Sequence, residues 1–218
     1  MTSILSENQK SILTLLAAQK SISDRFYLTG GTALSEFYLQ HRLSEDIDFF
    51  SEDEFNPVSI SVVLKKIQPS AGIVNIRSEQ SFNRNLFFLE LADDTIKTEF
   101  TYFPFSRIEK KKKIGNLFVD SLLDIAVNKI FTIYQKPRSR DFIDLYCIME
   151  KEAWTIGDLA SKAQVKFDNY LDPLQLGAQF LRATELLDYP TLVIPMDNTV
   201  WQSFFIEEAK KLRPDILS

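Results

Sequence analysis

Residues 28–50 read LTGGTALSEFYLQHRLSEDIDFF, and the rest of the chain is organised around them. The apolar run Phe26-Tyr27-Leu28 predicts a buried strand that stops at Gly30-Gly31, where a backbone can bend sharply or approach a ligand closely. From Thr32 to Gln40, Ala33, Leu34, Phe37 and Tyr38 recur at helical spacing, which places the Gly-Gly-Thr turn at a helix N-terminus. Free amides in that position attract phosphate. The alternation Asp46-Ile47-Asp48-Phe49-Phe50 then predicts a strand with both carboxylates on one side and Ile47 and Phe49 packed inward. Such a pair suits a hard divalent cation, Mg²⁺ or Mn²⁺ in its place. Taken alone, Asp-x-Asp is more often a solvated strand face than a metal site. The order of the pieces favours chemistry here, because a phosphate cradle, a short helix and a carboxylate pair in succession form a nucleoside-triphosphate arrangement.

The 218 residues, 45% hydrophobic and 25% charged, suggest an ordinary soluble protein of one large domain or two small ones. No apolar run approaches ~20 residues and no basic segment precedes an apolar core at the N-terminus. The expectation is a cytoplasmic protein with no membrane partner. Cys147, the single cysteine, lies in the apolar run 142–149 and reads as a core residue. The single histidine, His41, reads as a helix C-terminal residue, so a catalytic base would be a carboxylate or solvent. The net charge of −5 speaks against capture of nucleic acid by the whole surface and leaves room for a local basic patch.

Outward from the opening stretch, Ser6-x-x-Gln9 predicts a capping box on a helix reaching about Ala18. Asn56-Pro57 predicts a helix start, with Pro69-Ser70-Ala71-Gly72 as its stop. Three strands follow, at 73–81, 85–91 and 95–103, the last two joined through Ala92-Asp93-Asp94 as a hairpin. In the last strand Glu99 falls on the polar side and is the natural third carboxylate. Lys110 to Lys113 read as a solvated loop, with a phosphate-contacting role as the alternative. From Ser121 the pattern is helical almost to the end, which places a boundary near Asp120 and gives regions 1–120 and 121–218. Helices are predicted from Ser121, from Arg140 and after Thr155, Asp172-Pro173 and Asp197. The last should turn Val200, Trp201, Phe204, Phe205 and Ile206 to one side. Lys129 sits at the edge of an apolar helix face, and Asp141 and Asp144 share a face beside Arg140.

Gly30-Gly31-Thr32, Arg42-x-Ser44-x-Asp46-x-Asp48, Lys129 and Arg140-Asp141-Phe142-Ile143-Asp144-Leu145-Tyr146 together resemble the AbiEii/AbiGii-type toxin family, within the DNA polymerase beta-like nucleotidyltransferase superfamily. The resemblance spans roughly Leu28 to Tyr146. It implies an α/β (α+β) fold, a mixed-sheet nucleotidyltransferase-like domain followed by a helical one, and transfer of a nucleoside monophosphate from an NTP to an acceptor hydroxyl. In that reading Gly30, Gly31 and Thr32 hold phosphates and Asp46 and Asp48 hold Mg²⁺. Glu99 completes a second metal site or accepts the proton of the attacking hydroxyl. Lys129 and Arg140 offset charge on the leaving pyrophosphate, and Asp141 belongs to the nucleotide site while Asp144 is structural. Relatives usually carry aspartate where this chain has Glu99, a departure that adds one methylene of reach. The implied acceptor is RNA, such as a transfer RNA end, or a protein, and the implied context is a type IV toxin-antitoxin or phage-defence pair with a cognate antitoxin. The alternative is a nucleotide-binding regulatory or scaffold protein whose catalysis has lapsed.

Overall fold

The computed structural model describes residues 3–212. The chain divides into two compact units, Met1–Ser121 and Leu122–Ser218.

The first unit is built on a mixed seven-stranded sheet. Its elements are α1 (Glu7–Ala17), α2 (Lys20–Ser23), β1 (Tyr27–Thr29), α3 (Gly30–Leu34), β2 (Asp46–Ser51), α4 (Pro57–Ala71), β3 (Asn75–Ser81), β4 (Arg84–Glu90), β5 (Thr95–Tyr102), β6 (Lys112–Ile114) and β7 (Leu117–Val119). The strand order is β3-β4-β5-β2-β1-β7-β6, with β2 parallel to β5 and β1 parallel to β7. The remaining neighbours are antiparallel. Alternation along the central strands sorts their side chains. Ile47, Phe49, Thr98 and Phe100 are fully buried, Phe49 stacks on Phe100 at 5.0 Å, and Phe26 meets Phe100 edge-on at 5.2 Å. The opposite strand faces are left to Asp46, Asp48, Lys97 and Glu99.

The Ser6–Gln9 capping box forms as the sequence predicts. Three local features differ. The helix begins at Gly30 rather than Thr32, and continues beyond Leu34 as a π-helical turn, Ser35–Leu39, closed by Gln40 at φ 52°. Helix α4 runs through Pro69 to Ala71. The proline lacks an N–H for the carbonyl of Lys65, but Lys65 is exposed and water can serve that oxygen. Gly72, at φ 67°, then ends the helix. Finally, Lys112 and Lys113 belong to the edge strand β6 rather than to a loop.

The second unit is helical: α5 (Leu122–Gln135), α6 (Ser139–Lys151), α7 (Ile156–Phe167), α8 (Pro173–Leu181) and α9 (Asn198–Lys211). Thr155, Asp172 and Asp197 cap α7, α8 and α9 as their positions predict. Phe142 is the centre of an aromatic core, 4.7 Å from Phe205, 6.0 Å from Trp201 and 6.4 Å from Phe180. In α9 the buried row is Trp201 and Phe205, one turn apart, so Val200 is 45% exposed instead of packed. Cys147 is half-buried rather than a core residue. Among the described residues no helix is long and apolar enough to cross a membrane.

Candidate active site

The Gly-Gly turn is fixed from below by the segment that follows it. Gly30 has φ 71°, and a Cβ there would lie 2.6 Å from Asp48 Oδ2. A Cβ on Gly31 would overlap the Arg42 guanidinium and sit 3.0 Å from Ser44 Oγ. Thr32 is wholly buried, and its hydroxyl donates to the Asp46 carbonyl and pairs with Ser44 Oγ at 2.8 Å. That hydroxyl therefore ties the turn to β2 instead of facing a phosphate. Arg42, 3% exposed, donates to the Leu43 carbonyl. Gln9 adds a second brace, donating from Nε2 to the carbonyls of Ser44 and Glu45 at 2.8 and 3.1 Å. Two further bonds hold the rim: Thr29 Oγ1 donates to Asp120 Oδ2, and Tyr38 donates to the Asp120 carbonyl.

On the polar side of the sheet, Asp46 and Asp48 are half-buried and share one side of β2. Register places Thr29 opposite Asp48, Asp48 beside Glu99, and Asp46 beside Lys97. Lys97 Nζ is 3.1 Å from Asp46 Oδ2. Glu99 is only 5% exposed. Its Oε1 accepts from Arg84 Nε at 2.7 Å and Thr101 Oγ1 at 2.6 Å, and its Oε2 accepts from Arg84 Nη2 at 2.5 Å. Burial alone would raise the pKa of this carboxyl, but the bonds from Arg84 and Thr101 and the charges of Arg84 and Lys97 hold it below the usual range. Among the described residues no three His, Cys, Asp or Glu side chains gather as a metal cluster. Asp46 and Asp48 nevertheless fit a hard cation, since both are oxygen donors on one strand face and glycine at position 30 lets the Asp48 carboxylate lie against the turn.

The second unit carries its own charge cluster. Lys129 is 8% exposed, not a residue of the helix edge. Its ammonium lies 2.7 Å from Asp141 and 2.6 Å from Asp144, both carboxylates wholly buried. Arg138 adds a bond from Nε to Asp141 Oδ2 at 2.9 Å. Burial would raise Asp141, yet the charges of Lys129 and Arg138 keep it below the ordinary carboxyl range. Lys129 thus joins α5 to α6, with Asp144 a full member of the cluster. Arg140 is half-buried in the first turn of α6. A separate buried pair, Lys166 to Asp124 at 2.7 Å, joins α7 to α5.

A family model for "Nucleotidyl transferase AbiEii toxin, Type IV TA system" matches residues 14–206. This chain belongs to that family. The AbiEii chain is 34% identical over 152 residues to the uncharacterised protein aq_aa25 of Aquifex aeolicus, a match covering 68% of this chain and 69% of that one. Its fold is similar to that of JHP933 from Helicobacter pylori, with a TM-score of 0.60 at 20% identity over 97% of this chain and 94% of the other. The AbiEii chain is a nucleotidyltransferase with the mixed α/β architecture that its motifs imply.

Two cations on the acidic face of the sheet, Arg84 and Lys97, were not among the residues that sequence reasoning singled out. Alternation placed Lys97 on the side of Glu99, but only the register of β4 against β5 brings Arg84 to Glu99. The lysine run also has partners of its own. Lys111 Nζ lies 4.0 Å over the Phe118 ring and Lys112 Nζ 4.9 Å over that of Tyr38. Burial and the charge of Arg107 push the Lys111 ammonium below its usual range.

Proposed function

We propose that this protein moves a nucleoside monophosphate from an NTP to an acceptor hydroxyl on RNA, as the toxin of a type IV pair. The observation that carries the reading is the Asp48 carboxylate lying against the α-carbon of Gly30, which sets a carboxylate pair beside a backbone turn suited to phosphate. Asp46 and Asp48 would hold Mg²⁺, and the ion when bound would neutralise the triphosphate and polarise the phosphoryl oxygens. The amides of Gly30 and Gly31 would bind phosphate oxygens. Arg42, Ser44 and Thr32 keep those amides in place from beneath the turn. Within the second unit, Lys129, bound to Asp141 and Asp144, fixes the start of α6, where Arg140 stands in the first turn. Positioning and fixed charge supply nearly all of such catalysis.

Incubation with each α-labelled NTP, Mg²⁺ and either total RNA or a cell lysate tests the reading. Label should enter RNA, and Asp46→Asn/Asp48→Asn should abolish it. Label found only in protein changes the acceptor. Label that never leaves the nucleotide would reduce the chain to a nucleotide-binding protein whose catalysis has lapsed, and would sink the proposal.

A further inference from the structure

We propose that Arg84 is a fixed cation of this acidic face: Glu99 anchors its guanidinium and is not a metal ligand, so that one divalent ion sits on Asp46 and Asp48 while Arg84 meets the phosphates of the nucleotide. The inference rests on the nucleotidyl-transfer reading above and deepens it.

Three observations carry it. First, both oxygens of Glu99 are engaged by charge-assisted or hydroxyl donors at 2.5–2.7 Å, and its side chain is 6% exposed. A cation could reach that carboxylate only by displacing a bidentate guanidinium, which is among the strongest pairings available to a carboxylate. Second, the Arg84 side chain is 56% exposed although its partner is buried. A guanidinium has five N–H donors, and the fork to Glu99 uses two of them. The remaining donors belong to a planar group suited to phosphate oxygens. Third, Arg84 is tied to the carboxylate that stands beside Asp48 in the β2–β5 ladder, and the charges of Asp46 and Asp48 both act on its guanidinium.

The charges are consistent with this division. Asp46, Asp48 and Glu99 face Lys97 and Arg84, which leaves a single net negative charge. One divalent ion turns that balance positive and favourable to a polyanionic nucleotide. A third free carboxylate without Arg84 would leave the face more negative and open to a second ion.

Mn²⁺ binding to the full chain, followed by electron paramagnetic resonance, separates the possibilities. One Mn²⁺ per chain is expected in the wild type. Glu99→Gln should keep an affinity close to that of the wild type, whereas Asp48→Asn should lose it. Arg84→Gln should retain Mn²⁺ yet bind a non-hydrolysable NTP about tenfold or more weakly, the loss expected for one or two charge-assisted hydrogen bonds. Circular dichroism checks the fold of each variant. Arg84→Lys, which keeps the charge and loses the fork, should bind NTP with intermediate affinity and keeps the test open if the glutamine variant does not fold. Two Mn²⁺ per chain in the wild type, loss of Mn²⁺ in Glu99→Gln, or unchanged NTP affinity in both Arg84 variants would each overturn the assignment while leaving nucleotidyl transfer intact. No Mn²⁺ on the wild type would instead strike the Asp46–Asp48 site itself, and this inference with it.

Discussion

Asp48 and Gly30 are in such close approach that a methyl group on the glycine would come within 2.6 Å of Asp48 Oδ2. Glycine at position 30 is needed twice over, because its φ of 71° also lies in the left-handed region. Gly30→Ala should therefore push the carboxylate away and cost about 1–2 kcal/mol in backbone strain. Label transfer and Mn²⁺ affinity should fall together, with the fold retained by circular dichroism. Full activity in this variant would mean that the close approach of Asp48 to Gly30 has no part in the site.

Lys129→Ala should destabilise the protein as well as affect transfer. Removing the ammonium leaves Asp141 and Asp144 buried with one partner withdrawn, a change that costs about 3–5 kcal/mol when a buried ion pair is broken. Adding Asp144→Asn should recover part of the loss, since one carboxylate then needs no counter-charge. Urea unfolding of the single and double variants measures both effects. An unchanged midpoint for Lys129→Ala would return it to the helix edge.

Acid should weaken the fold through Glu99 and Asp141, whose carboxyls are held below their ordinary range in the folded state. A depressed folded value stabilises the protein fully above the unfolded value, which is about 4.3 for Glu and 3.9 for Asp. That contribution disappears as pH falls through the lower, folded values. Melting temperature should thus be insensitive to these two groups near neutrality and drop below about pH 4. Glu99→Gln and Asp141→Asn should each make the acid limb shallower, and a limb of unchanged steepness in both would discount this origin.

If the acceptor is RNA, the lysine run is the part of the chain to test for phosphate binding. Lys111 and Lys112 lean on aromatic rings, which holds their charges in fixed positions on and beside the edge strand. Replacing Lys110 to Lys113 by glutamine should reduce the salt dependence of RNA binding by about 0.7 to 0.9 in the log–log slope for each phosphate that is no longer neutralised. NTP affinity should not change. An unaltered slope would make these lysines surface charge only.

Much of the local geometry of the candidate site could be read from the residues because its components are local. A glycine pair at the end of an apolar run and two aspartates two apart need only the periods of a strand and a helix. The Ser6–Gln9 box and the caps Thr155, Asp172 and Asp197 are equally short-range, and each appears where its sequence puts it. Thr32 and Lys129 show where such reasoning stops. Both are polar residues in the right neighbourhood, yet the Thr32 hydroxyl turns to Ser44 and Asp46. The Lys129 ammonium is likewise enclosed by carboxylates one helix away.

By itself, then, the sequence determined the periodic elements, the change from mixed sheet to helices near residue 121, and the motifs that mark a nucleotidyltransferase. These follow from spacing along a single segment. Only the tertiary structure decided which charges neutralise which. The register of β4 on β5 gives Glu99 to Arg84, and that of β2 on β5 sets Asp46 beside Lys97. The packing of α5 on α6 gives Lys129 to two aspartates. The physical reason is that an ion pair is a relation between distant segments, set by strand register and helix packing, and no period within one segment encodes it.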